Sequence, residues 1–111
     1  MAIYKTRGHL EFARETKIQS DIRTLDMQLK MYESRNGFFP TSEQGLKALV
    51  VQPDTEPRPS QWMQLTEEVP KDPWQNEYIY RCPGVRHPDS YDLFSAGRDR
   101  KPDTGDDVWR R

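Results

Sequence analysis

The sequence predicts an α+β domain in which one long helix packs on a small antiparallel sheet. Three observations carry this: an apolar stripe at helical spacing in the first third, a cluster of prolines in the middle, and two short aromatic-rich runs separated by turn residues near the end. At 111 residues the chain is one domain's worth, 1–111, with no internal repeat or low-complexity tract.

The long helix is placed at about 9–36. Ile18, Ile22, Leu25, Leu29 and Tyr32 are spaced 4, 3, 4 and 3 apart, one stripe on a helix, which Met27 and Met31 would widen. Lys17, Asp21, Arg23, Lys30 and Glu33 lie largely off it, and Asn36-Gly37 supplies the stop because glycine tolerates the left-handed conformation that ends helices. A coiled coil would need a longer heptad run. Roughly 28 residues at about 1.5 Å each give about 42 Å, against about 35 Å across a compact domain of this size, so the helix should overhang. The stripe fades where Thr6, Arg7, Glu11, Arg14, Glu15 and Thr16 interrupt it. Such a start suits a helix that continues into another segment, or a frayed terminus.

After Pro40, Thr41-Ser42-Glu43-Gln44 fits a capping box, and a short helix is expected over 41–51. A loop follows over 52–76 with Pro53, Pro57, Pro59, Pro70 and Pro73, pinned to the core by Trp62 and Leu65. Glu77–Cys82 and Ser90–Ser95 read as strands, and the short connection between them makes the pair antiparallel. Two strands alone are marginal in water, so they should pack on the long helix. The remainder of 77–111 is a polar tail rich in aspartate.

Composition excludes several functions. Hydrophobic residues make up 33%, which implies a thin core, while three Trp, five Tyr and four Phe argue against disorder. The net charge of −1 gives no field to draw nucleic acid, and aspartates interleave with Arg98, Arg100, Lys101, Arg110 and Arg111, so no nucleic-acid partner is expected. The single cysteine, Cys82, rules out an internal disulfide, and His9 and His87 have no second histidine at ligand spacing. Asp103-Thr104-Gly105 is a lone triplet, whereas aspartic-protease chemistry needs two aspartates sharing a proton. No stretch approaches the roughly 20 apolar residues of a membrane helix.

Three strings, in order, resemble one family. They are Tyr32-Glu33-Ser34-Arg35-Asn36-Gly37-Phe38-Phe39-Pro40-Thr41-Ser42-Glu43-Gln44-Gly45-Leu46, then Lys71-Asp72-Pro73-Trp74-Gln75-Asn76-Glu77-Tyr78, then Ser90-Tyr91-Asp92-Leu93-Phe94-Ser95-Ala96-Gly97-Arg98-Asp99. Together they resemble the major pseudopilin of the type II secretion system. The resemblance implies a pilin-like fold and a structural, non-enzymatic role. The subunit would polymerise with copies of itself into a helical periplasmic filament that drives export of folded proteins. Further implied partners are minor pseudopilins and an inner-membrane assembly platform of a Gram-negative cell. It also implies a leader and a hydrophobic half-helix upstream, the only part that would enter the membrane; Met1 and Ala2 are then foreign to the natural protein. A type IV pilin, a minor pseudopilin, or a free-standing calcium- or ligand-binding module are the alternatives.

The resemblance further implies calcium in the last loop, held by the side chains of Asp99 and Asp107 and by main-chain carbonyls at Ala96, Trp109 and Arg111. Calcium takes six to eight oxygen ligands of these kinds. The loop departs from the family pattern in carrying Arg98, Arg100 and Lys101 and in closing on Trp109-Arg110-Arg111. Each cation at contact would oppose the ion by about 1 kcal/mol in water. A charged loop in which those cations pair with the aspartates is the competing expectation.

Overall fold

The computed structural model describes residues 2–111. Helix α1 runs Ala2–Asn36, seven residues further toward the N-terminus than the stripe predicts. Met1 and the side chains of Thr6 and Arg7, part of that stripe-poor start, lie outside the described residues. The stripe itself is as expected: Ile18, Ile22, Leu25, Leu29 and Tyr32 are all buried. Met27 and Met31 do not widen it, being 64% and 46% exposed, because Asp26 and Gln19 take the buried flank and turn the methionines outward. Gly37, at φ +87°, ends α1 and donates its N–H to Glu33 O at 2.7 Å.

The molecule measures 57 × 27 × 20 Å, and residues 8–13 of α1 are exposed throughout. The overhang expected from helix length is present. Near this end of the packed part of α1, the Arg14 guanidinium sits 5.5 Å from the Trp74 ring and Lys17 Nζ donates to Lys71 O at 2.7 Å.

The capping pair forms without the helix it was expected to start. Gln44 N donates to Thr41 Oγ1 at 3.1 Å, and Thr41 N donates to Gln44 Oε1 at 3.0 Å. Gly45 then adopts φ +63°, and only a 3-10 turn, Leu46–Leu49, follows. The left-handed glycine diverts the chain, and the Gln44 amide group is drawn away to the carbonyls of Thr55 and Pro57. The proline-rich segment is pinned as expected: Trp62 Nε1 donates to Ala48 O at 2.7 Å and Leu65 N to Leu49 O at 2.9 Å.

The sheet has three strands in the order β1-β2-β3: β1 Ile79–Arg81, β2 Asp92–Ser95 and β3 Val108–Trp109, all antiparallel. Ile79 pairs with Phe94 and Arg81 with Asp92, so the two expected strands find each other, each shorter than its aromatic run. β3 was not expected, since a two-residue strand leaves no periodic signal. Central β2 is buried on both faces. Tyr91 and Leu93 join the α1 stripe, Leu46, Leu49 and Tyr78 in the core, while Phe94 turns to the other face and stacks on Trp109 at 4.3 Å.

Candidate metal centre

The last loop leaves β2 through Ala96-Gly97 and returns through Asp107 into β3, whose pairing Ser95 with Val108 closes its base. Gly97 holds φ +79°, and a Cβ there would collide with the Asp106 carbonyl, so entry and exit of the loop approach too closely for any side chain. Buried polar groups anchor this base. Asp72, in the Asp-Pro-Trp turn, accepts the amides of Trp74 and Asn76 on Oδ1 and the Ser95 hydroxyl on Oδ2 at 2.7 Å. Ser95 Oγ in turn accepts the Gly97 amide at 3.0 Å. The turn string thus sets the direction in which the loop departs.

Within the loop, carboxylates accept main-chain amides. Asp99 Oδ1 accepts Lys101 N at 2.9 Å, Asp106 Oδ2 accepts Asp99 N at 3.1 Å, and Asp107 Oδ2 accepts Asp103 N at 2.8 Å. The Lys101 amide, then the Thr104 hydroxyl, hold the Asp99 carboxyl below its usual range. Asp107 Oδ1 is buried with no hydrogen-bond partner. Arg98, Arg100 and Lys101 form no side-chain ion pair among the described residues. Asp103 instead takes the Arg81 guanidinium in a two-pronged pair at 3.0 and 2.9 Å, which holds its carboxyl below the usual range. The competing expectation, a loop tied by its own cations, is therefore not the arrangement found.

Asp99 and Asp107 lie on the outgoing and returning limbs of one loop, linked through Asp103 and Asp106, with Ala96 buried at its start. Trp109 and Arg111 also contact α1. Trp109 O accepts Gln19 Nε2 at 2.8 Å, Gln19 Oε1 accepts Arg111 N at 3.0 Å, and Arg111 Nη2 pairs with Glu15 at 3.0 Å, all on α1. Arg110 reaches α1 as well, pairing at 2.7 Å with Asp26, which also accepts the Tyr91 hydroxyl at 2.7 Å. Burial first, then that bond to Asp26, raises the Tyr91 pKa. Among the described residues no three His, Cys, Asp or Glu side chains converge as a ready metal cage. Two hard carboxylates, one with a buried unpartnered oxygen, are of the ligand type that calcium takes together with carbonyls and water. Gln19 and Asp26, which fasten the loop's return to α1, gave no sign in the sequence beyond lying beside the stripe.

A long helix overhanging a small antiparallel sheet, with a looped C-terminal segment, defines the pilin-like class of fold. The chain belongs to the family of type II secretion system protein G, whose model matches residues 5–109. It is 46% identical over 103 residues to the type II secretion system core protein G of Dickeya chrysanthemi, covering 91% of this chain and 66% of that protein. The homologue from Klebsiella michiganensis is 38% identical, with coverage of 91% and 71%. The chain thus spans about two thirds of the length of these relatives. The crystal structure of the major pseudopilin from the type 2 secretion system of enterohaemorrhagic Escherichia coli superposes with a TM-score of 0.83 at 38% identity, covering 92% of this chain and 90% of that one. The family is one of structural secretion-system subunits, not enzymes.

Proposed function

We propose that this domain lies in the periplasm and that copies of it polymerise through their helices into a filament that drives export of folded proteins. Minor pseudopilins and an inner-membrane platform would assemble with it, and a hydrophobic segment of the full-length protein would supply its only membrane contact. The observation that carries this reading is the exposed start of α1. Leu10 and the 74% exposed Phe12 lie on a length of helix, residues 8–13, that is exposed throughout. Packing this length of α1 against a neighbouring copy would bury both side chains, which water now covers.

Calcium is the proposed ligand of the last loop, with Asp99 and Asp107 as the side-chain ligands and Ala96 among the carbonyl donors. The support is the buried, unpartnered Asp107 Oδ1, an acceptor that a cation would satisfy. The Trp109 carbonyl accepts one bond from Gln19 and keeps a second lone pair for an ion, and the Arg111 carbonyl and water would complete the shell. A bound divalent ion neutralises the gathered carboxylates and stabilises the loop by mass action, by about 2.7 kcal/mol at a hundredfold excess over Kd.

The test is thermal melting in EDTA, in calcium and in magnesium, which demands stricter octahedral geometry. The expected result is a rise in Tm with calcium, little with magnesium, and none in Asp99→Ala or Asp107→Ala. Equal melting of the parent in EDTA and calcium would reject the ion. It would favour a second reading, supported by the three amide–carboxylate bonds, in which the loop closes on its own hydrogen bonds.

A further inference from the structure

A groove of about 580 Å³ runs between the 42–50 segment and the β1 side of the sheet, with Tyr78 and Tyr80 in its wall. Four carboxylates line it, Glu43, Glu67, Glu68 and Glu77, together with two cations, Lys47 and Lys71. None of the four glutamates forms an ion pair among the described residues, and the lining is negative by two charges. Sharing a groove wall without neutralisation raises their mutual repulsion, which an incoming cation would relieve.

The same chain carries the matching feature. Arg98, Arg100 and Lys101 are exposed, and none is in an ion pair among the described residues. Their segment belongs to the loop joining β2 to β3, and β3 lies on the far side of β2 from β1 and the groove. No ion pair joins loop and groove among the described residues. Calcium in the loop would strengthen the match, because neutralising Asp99 and Asp107 leaves the three cations less opposed.

We propose that the Arg98–Lys101 segment of one copy docks into the Glu43/Glu67/Glu68/Glu77 groove of a second copy. The contact is heterologous, joining two different surfaces, and heterologous contacts that do not close into rings extend into helical filaments. It therefore rests on the filament reading and names the charged surfaces that would set the register between neighbouring globular domains. Because the paired groups are exposed, the contact sets orientation and partner choice more than affinity and weakens as salt shortens the screening length from about 10 Å at 0.1 M to about 3 Å at 1 M.

The experiment uses filaments of the full-length protein treated with a zero-length carbodiimide, which joins amine to carboxylate only at contact. Mass spectrometry should find Lys101 joined to Glu67 or Glu68 of another copy, distinguished by mixed isotope labelling, with a yield that falls in high salt. Reversing the loop (R98E/R100E/K101E) or the groove (E43K/E67K/E68K/E77K) should each reduce filament yield several-fold, and combining them should restore it. Melting of each variant checks that it folds. Parental filaments without the cross-link, together with undiminished yield from both reversals, would overturn the contact while leaving the filament reading standing. Failure of the parent to assemble at all would overturn both.

Discussion

Gln19 holds the end of the chain to α1 with one side chain: its Nε2 donates to Trp109 O and its Oε1 accepts Arg111 N, at 8% exposure. Gln19→Ala removes both bonds and should cost about 1–3 kcal/mol in urea unfolding, at about 1 kcal/mol per bond plus the unsatisfied carbonyl. Asp92 does comparable work at the other end of β2. Its Oδ2 accepts the amides of Val85 and Arg86 and its Oδ1 that of His87, whose ring Nδ1 also lies at 3.0 Å. Burial pushes the Asp92 carboxyl up, but the Arg86 amide, the His87 ring and the remaining amides outweigh it and leave the group below its usual range. A folded value below the unfolded one, near 3.9 for aspartate, means this stabilisation is complete above the unfolded value and is lost as pH falls through the folded one. Urea melts should therefore weaken as pH drops below about 4, and Asp92→Asn should be less stable at neutral pH with a shallower acid decline. None of these roles was legible from residue type alone, because an aspartate on a strand and a glutamine on a helix read as surface until a partner distant in sequence is brought to them.

Among the elements, α1 was the most legible, and its errors are informative. The five stripe residues are buried as their spacing requires, whereas Met27 and Met31 are not, since a hydrophobic residue at the stripe's margin is buried only if something packs there. Leu29→Ala should cost about 2–5 kcal/mol, and Met27→Ala should stay within about 0.5 kcal/mol, both read from denaturant midpoints. The segment 41–51 carries a real capping pair, yet one residue later Gly45 takes a left-handed conformation and the helix stops at a 3-10 turn. Local capping signals mark where a helix can begin; they do not determine whether it propagates. β3 illustrates the opposite case: Val108 and Trp109 become a strand only because β2 offers a free edge and Phe94 a ring to stack on.

At the scale of the molecule, the start of α1 extends beyond the packed part of the domain, with residues 8–13 exposed throughout. Phe12 is 74% exposed, so Phe12→Ser should leave thermal unfolding unchanged within about 0.5 kcal/mol while lowering filament yield, scored by electron microscopy of the full-length protein. A drop in melting temperature instead would assign Phe12 to the domain's own stability. The extension has a physical basis: a 35-residue helix is longer than a thin-cored domain can cover, leaving its far end available to other surfaces.

The α+β class, the burying face of α1, the antiparallel pairing of the two aromatic strands and, through three ordered strings, the family were all legible in the sequence. These rest on short-range periodicity and turn chemistry, which are written within a few residues. Only the tertiary structure decided the third strand, the Gln19 and Asp26 attachments of the C-terminal segment, the pairing of Asp103 with Arg81, and the absence of ion pairs to Arg98, Arg100 and Lys101 among the described residues. Each of those depends on which distant groups meet once the core has formed, and charge order along a chain does not specify that.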